Sequence, residues 1–370
     1  MHLDRIEIEG FKSIREQTLE LRALNVLIGA NGAGKSNLVS VFSLLRELVG
    51  ERLQAAITRG GGAASLLHHG PKRTPSMRVK VHSGVNQYEV VLAHAAPDRL
   101  FFDREVVWGP SQVGTIPVRM GSGHLETQLH LEDDRHPKGF ASWVIARLSA
   151  WKVYHFHDTS SLAPVKQKGP IDDNESLRPD AGNLAAFLHR LRHSPDEQGA
   201  YRRIVAAVRQ VAPFFDDFQL RPDPLSPQTI QLEWSERGSD AYFNAHALSD
   251  GTLRFICLAT LLLQPRPPSL MVIDEPELGL HPFAIAQLAA MLQAAVARPM
   301  FEPEVQVLIA TQSVTLMNQF APEDLIVVDR LGGQSTFRRV TQEEVEAWAD
   351  EYSLGEVWEK NVLGGRPQQP

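Results

Sequence analysis

The spacing of apolar and polar residues changes character along this chain. Ile6 and Ile8 alternate with Arg5, Glu7 and Glu9, which predicts a strand with one buried face over 3–9. Gly10-Phe11-Lys12-Ser13-Ile14 reads as a turn. Residues 17–28 read as a second and a third strand, the third ending in the apolar run Leu24-Asn25-Val26-Leu27-Ile28. A helix is expected from Ser36 to Leu48. Arg59-Gly60-Gly61-Gly62 and Leu66–Gly70 predict a loop. Four β-like runs follow, Met77–His82, Gln87–Ala93, Leu100–Val107 and Leu125–Leu131, and predict an antiparallel meander.

Residues 140–150 read as a helix and Lys152–Phe156 as a strand. The Ser-, Asp-, Pro- and Gly-rich stretch 158–182 reads as loop. Helical spacing returns in 183–215 through Leu184, Phe187, Leu188 and Leu191, then Ile204, Val205, Val208 and Val211; 221–240 is loop and strand. From Ser249 onward helices (Gly251–Leu263, Phe283–Ala297) separate continuous, largely apolar strands (Leu270–Ile273, Val305–Ala310, Leu325–Val328). Such strands belong to a parallel sheet covered on both faces. Four regions are expected: an N-terminal lobe (1–150), a partly helical insertion (151–240), a C-terminal lobe (241–340), and a helix with a tail (341–370).

Composition narrows the class. The chain has 370 residues, 43% hydrophobic and 22% charged, ordinary values for a globular protein large enough for more than one domain. A net charge of −7 argues against a protein that coats DNA by global charge. The single cysteine, Cys257, excludes an intramolecular disulfide framework and a Cys-rich zinc site; it reads as a small core residue in a reducing cytoplasm. Met1-His2-Leu3-Asp4 runs directly into a strand, so no secretory signal is expected, and no apolar run is long enough to span a bilayer.

Chemistry enters at Gly29-Ala30-Asn31-Gly32-Ala33-Gly34-Lys35-Ser36. This run fits G-x-x-x-x-G-K-[ST] between an apolar strand and a helix. Glycines there let backbone amides turn inward onto phosphate oxygens, and the helix N-terminus adds partial positive charge. Gly29, Asn31, Gly32, Ala33, Gly34, Lys35, Ser36 and Asn37 are the candidate ATP-binding set, with Lys35 reaching the β- and γ-phosphates and Ser36 on Mg²⁺. A second apolar strand ends in Asp274-Glu275-Pro276-Glu277. Asp274 is placed to hold Mg²⁺ and Glu275 to orient or deprotonate the attacking water. The bland alternative is that both acids cap the next helix. A third element is Leu248-Ser249-Asp250-Gly251-Thr252, where Ser249 is either an N-cap or, with the Gly251 amide, an anion site for a second protomer's ATP.

In this order the three motifs resemble an ABC-type ATPase head. The opening Ile-x-x-Phe-Lys-Ser-Ile and the Asp-Glu-Pro-Glu-x-x-Leu-His-Pro run resemble the SMC/RecF-like group and, more closely, bacterial AAA ATPases of the OLD-like kind. The resemblance spans the N-terminal stretch to about residue 50 and residues 245–330. It implies an α/β P-loop NTPase with a mixed β N-terminal lobe and a partly helical insertion. It also implies two protomers that sandwich two ATP molecules, with Ser249 and Gly251 acting in trans and 278–282 crossing the interface. DNA repair, nucleic-acid surveillance or phage defence with a separate nuclease or other effector, and DNA as a partner, follow from the same resemblance.

Gln312 stands where such proteins often carry histidine; it cannot titrate near neutral pH, so slow hydrolysis is expected. Gln54 and Gln87 are weak candidates for a Q-loop, and Lys12 and Arg59 for positions near the nucleotide. His155 and His157, at i and i+2 along the expected strand, share a face that could bind metal, but two ligands alone are weak evidence. His281 reads equally as structural or functional, and Asn183 as a helix cap. No long coiled coil interrupts 50–245, and the roughly forty residues after the last strand are too few for a Toprim domain. Glu343, Glu344, Glu346, Asp350 and Glu351 read as an exposed acidic helix. The leading expectation is an ATP-driven dimerising switch. A sensor or scaffold that binds ATP without turnover is the alternative, and a transporter subunit a third.

Overall fold

The computed structural model describes residues 2–111, 114–297, 304–346, 352–360 and 362–365. The chain forms two compact units. The first is built from 1–153, 268–272 and 299–370, the second from 154–267 and 273–298.

In the first unit β1 (Arg5–Phe11), β2 (Ile14–Glu20), β4 (Ser76–Ser83), β5 (Asn86–Ala95), β6 (Arg99–Ser111) and β7 (Gly114–Arg119) form an antiparallel sheet in the order β2-β1-β4-β5-β6-β7. The expected turn is tighter than Gly10–Ile14. Phe11 and Ile14 pair directly, so only Lys12 and Ser13 turn the chain, with Lys12 at φ 47. β3 (Leu24–Ile28) joins a second sheet, ordered β18-β17-β3-β16-β15-β8. Its other strands are β8 (Trp151–Tyr154), β15 (Leu270–Asp274), β16 (Gln306–Thr311), β17 (Leu325–Leu331) and β18 (Gln334–Arg339). β3 pairs in parallel with both β16 and β17, as its largely apolar run fits. Asn25, its one polar residue, is fully buried; its amide donates to the carbonyls of Arg22 and Val307 and its oxygen accepts from Arg339.

Helices α1 (Lys35–Val49), α2 (Leu53–Arg59), α3 (Ala63–Leu66), α4 (Leu129–Arg135) and α5 (Phe140–Ser149) complete the body of this unit. Part of the expected glycine-rich loop is therefore helical. The expected strand Leu125–Leu131 is absent; the meander's fourth strand is β7, and 124–128 folds around a buried acid instead. Glu105, fully buried, accepts hydrogen bonds from Tyr88, Thr127, His124 and the Gln128 amide. A buried carboxylate leaves such donors no better partner. The β17–β18 hairpin also went unpredicted, because the polar Gln334–Arg339 carries no apolar run. Short helices α10 (Val314–Met317), α11 (Gln342–Glu346) and α12 (Leu354–Glu359) follow β16 and β18. Asp350 and Glu351 of the expected acidic helix lie outside the described residues.

In the second unit α6 (Leu184–His193), α7 (Gln198–Val211), α8 (Asp250–Leu263) and α9 (Pro282–Val296) pack together. Two three-stranded sheets accompany them. One has the order β10 (Phe215–Phe218), β13 (Glu233–Glu236), β14 (Tyr242–Asn244). The other has the order β11 (Pro222–Asp223), β12 (Ser226–Ile230), β9 (Gly169–Pro170). α8 is buried from Leu253 to Leu262, as expected of a helix apolar on all sides. Asn183 precedes α6 but does not cap it. Its oxygen accepts the Arg178 amide and its nitrogen donates to the carbonyls of Asp173 and Ser176, so it ties the preceding loop together.

Candidate functional site

The first unit carries the phosphate loop between β3 and α1. Gly34 adopts φ 118 at the N-cap of α1, a conformation that costs glycine little, and a Cβ there would lie 2.1 Å from Ser335 Oγ. Gly32, at φ 76, faces open space. Lys35 is buried, and its ammonium donates to the carbonyls of Gly29 at 2.5 Å and Ala30 at 3.1 Å, which draws the loop around its head. Ala33 and Gly34 are buried, whereas Asn31 and Ser36 are exposed. Asn37 turns its amide onto Ser13 Oγ, and Ser13 in turn bonds Ser335 Oγ at 2.7 Å. Ser13 and Ser335 are buried residues that the sequence reading passed over; the Phe-Lys-Ser run was the available signal for the first.

Lys12 donates to Ser40 Oγ on α1, and burial lowers its pKa. Arg59 is held on Glu47, 2.6 Å away, toward the far end of α1 from the loop. Gln54 donates to the carbonyls of Leu100 and Leu125, a structural task, and Gln87 pairs within the β-meander opposite Trp108. Gln312 sits in the turn after β16, partly exposed, next to Ser313, which caps α10.

The second unit carries Ser249, Gly251, Asp274, Glu275 and His281. Ser249 caps α8 by accepting the Thr252 amide, so the capping role exists whatever else the hydroxyl does. A Cβ on Gly251 would stand 2.3 Å from the Gly279 carbonyl oxygen. Asp274 and Glu275 are partly exposed, and neither is the N-cap of α9. His281 takes that position, its Nδ1 accepting the Phe283 amide, with Pro282 at the first helical position. Glu275 has φ 41, a left-handed backbone that non-glycine residues adopt at a cost.

Arg254 is the residue that the reading missed. Its guanidinium is buried on α8 and donates to three backbone carbonyls, those of Phe156 at 2.9 Å, His157 at 2.8 Å and Leu278 at 2.7 Å. His157 Nε2 donates to the carbonyl of Asp274 at 2.8 Å. The start of α8, the 278–279 turn and the end of β15 are thus joined through one side chain and one imidazole. A lone arginine inside an apolar helix was the visible signal.

The His155 and His157 rings meet edge-on, 6.2 Å apart. Desolvation lowers the His155 pKa against the pull of Asp274. Among the described residues no three His, Cys, Asp or Glu side chains gather as a metal site. Ser36 in the first unit and Asp274 in the second are each hard oxygen donors, the chemistry that Mg²⁺ takes. Among the described residues no helix is long and apolar enough to cross a membrane.

Residues 120–318 match the family described as "AAA domain, putative AbiEii toxin, Type IV TA system", and residues 1–52 match one described as "AAA ATPase domain". The DNA replication and repair protein RecF of Acidothermus cellulolyticus is 39% identical over 229 residues, a match that covers 58% of this chain and 57% of that protein's length. Among solved structures, an Smc head bound to the C-terminal winged-helix domain of ScpA aligns with TM-score 0.59 at 13% identity over 94% of this chain and 100% of that one. An Smc head with an extended coiled coil, bound to the C-terminal domain of ScpA from Pyrococcus furiosus, gives 0.55 at 14%, over 95% and 99%. These two likenesses concern the fold. The chain belongs to the AAA-domain family whose model covers residues 120–318, and its fold is the P-loop NTPase fold of the Smc heads.

Proposed function

We propose that this protein binds and slowly hydrolyses ATP and uses the cycle to close and reopen a homodimer. The observation that carries the reading is the phosphate loop. Gly32 and Gly34 take the positive φ that such a cradle uses, and Lys35 is tethered to the loop by the carbonyls of Gly29 and Ala30. Within the loop, inward amides and Lys35 bind and orient the triphosphate. Ser36 and Asp274 would hold Mg²⁺, which when bound offsets phosphate charge. Glu275 positions the attacking water and accepts its proton. Ser249 and the Gly251 amide complete the site from the opposite protomer.

The kinship with a DNA replication and repair protein supports work on DNA, in repair, surveillance or defence, with a separate effector. Gln312 leaves open the alternative of an ATP-dependent sensor without turnover, since its amide can hydrogen-bond the γ-phosphate but does not titrate near neutral pH, while Glu275 argues against it.

The test is the solution mass of Glu275→Gln with and without Mg-ATP, by light scattering, together with phosphate release by the parent chain. Doubling of mass and measurable release support the switch. Doubling without release by the parent selects the sensor, and a mass indifferent to ATP removes the dimer cycle.

A further inference from the structure

The outer side of the phosphate loop is held by residues far along the chain. The Ala30 amide donates to the carbonyl of Gly365 at 2.7 Å, Arg330 donates to Gly32 at 3.0 Å, and Ser335 Oγ donates to Ala33. Gly365 is itself fixed: its amide donates to Asp329 Oδ1 at 2.6 Å. Its φ of 85 suits glycine, and a Cβ there would stand 2.8 Å from Trp358 Nε1 and 3.4 Å from the Gly29 Cα. The other end of this segment is anchored on α10. The Gly355 amide donates to Asn318 Oδ1 at 2.6 Å, and a Cβ on Gly355 would meet Val314 Cγ1 at 2.2 Å. α10 begins two residues after Gln312. In between, Arg338 holds the Leu363 carbonyl.

We propose that Leu354–Lys360 and Val362–Gly365, tied down by Asp329, are a clamp that positions the phosphate loop and is coupled to nucleotide occupancy. The inference rests on the nucleotide-binding reading above and adds to it a regulatory contact. A loop whose outward amide and carbonyls are already engaged needs less ordering when phosphates engage its inward ones. Because coupling is reciprocal, nucleotide must tighten the clamp by the factor through which the clamp tightens nucleotide. A partner that pulls the segment from Ala30 would then lower nucleotide affinity without touching the cradle. Asp329 is a positioning residue, acting through Gly365 and Ala30.

The experiment measures affinity for a fluorescent ATP analogue with Mg²⁺ in the full-length parent, Asp329→Ala, Asp329→Asn and Gly365→Ala, and amide exchange at Gly365 in the parent with and without nucleotide. Asp329→Ala and Gly365→Ala are expected to weaken binding about tenfold, while Asp329→Asn, which keeps an acceptor oxygen, stays within about twofold. Nucleotide is expected to slow exchange of the Gly365 amide. Parent-like binding by folded Asp329→Ala and Gly365→Ala overturns the clamp, as does exchange at Gly365 that ignores nucleotide. The exchange measurement decides even where a variant fails to fold. A parent that binds no nucleotide overturns the proposed function, and the clamp's coupling with it; binding by the parent with indifferent variants overturns the clamp alone.

Discussion

Gly251 and Gly279 approach so closely that one methyl group on Gly251 would stand 2.3 Å from the Gly279 carbonyl oxygen. The turn after Glu275 and the start of α8 therefore meet with no room for a side chain between them. Gly251→Ala should force them apart, at about 1–3 kcal/mol of stability for the overpacking. Phosphate release should fall at least about tenfold while nucleotide still binds the loop of the first unit. Parallel assays of binding and release decide it, and unchanged release would show that this approach does not matter to turnover.

Arg254→Gln should destabilise the fold by about 3 kcal/mol, because the carbonyls of Phe156, His157 and Leu278 lose a shared charged donor. Arg254→Lys, with a point charge in place of a planar fork, should recover only part of the loss. Urea midpoints of the three chains measure it; equal midpoints would mean that water serves the carbonyls as well.

Lys35→Ala removes the ammonium that bridges Gly29 and Ala30. Losing charge-assisted bonds to phosphate should weaken nucleotide binding by about 10- to 100-fold. Titration calorimetry reads the change directly, and an unaltered dissociation constant would take Lys35 out of the site.

Burial pushes the Cys257 thiol up to about 12. The folded chain should therefore resist thiol reagents at pH 8 and react only after unfolding in urea. The sign of the linked stability follows. Above the ordinary thiol pKa of about 8.5 the unfolded chain releases this proton while the folded chain keeps it, so this group's contribution erodes as pH rises toward 12. Rapid labelling of the native protein would contradict the burial.

Much of the α/β architecture was legible because β3, β16 and α8 are apolar enough to exclude any place but the interior. Positions fixed by polar partners were less so. The stretch 124–128 folds around Glu105, and nothing in its own spacing announces a carboxylate some twenty residues earlier in the chain. Asn183 has the residue type and position of a cap, yet its amide serves 173–178. The phosphate loop was readable as a motif, whereas its supports were not. Ser335 and Gly365 lie more than three hundred residues from Gly29, and single polar residues at that separation leave no pattern. Arg254 could have been noticed as a charge among apolar neighbours, but its three carbonyl partners belong to loops with no periodicity.

The left-handed backbone of Glu275 also bears on how this protein should be engineered. A residue with a Cβ in that region costs about 1–2 kcal/mol that glycine does not, and asparagine offsets part of that cost by local hydrogen bonding. A library screened for heat resistance alone should therefore enrich glycine or asparagine at position 275. Winners of that screen would be sturdier chains that have discarded the proposed water-activating carboxylate. Thermostabilisation of this protein needs position 275 frozen, or a turnover assay run beside every melting curve.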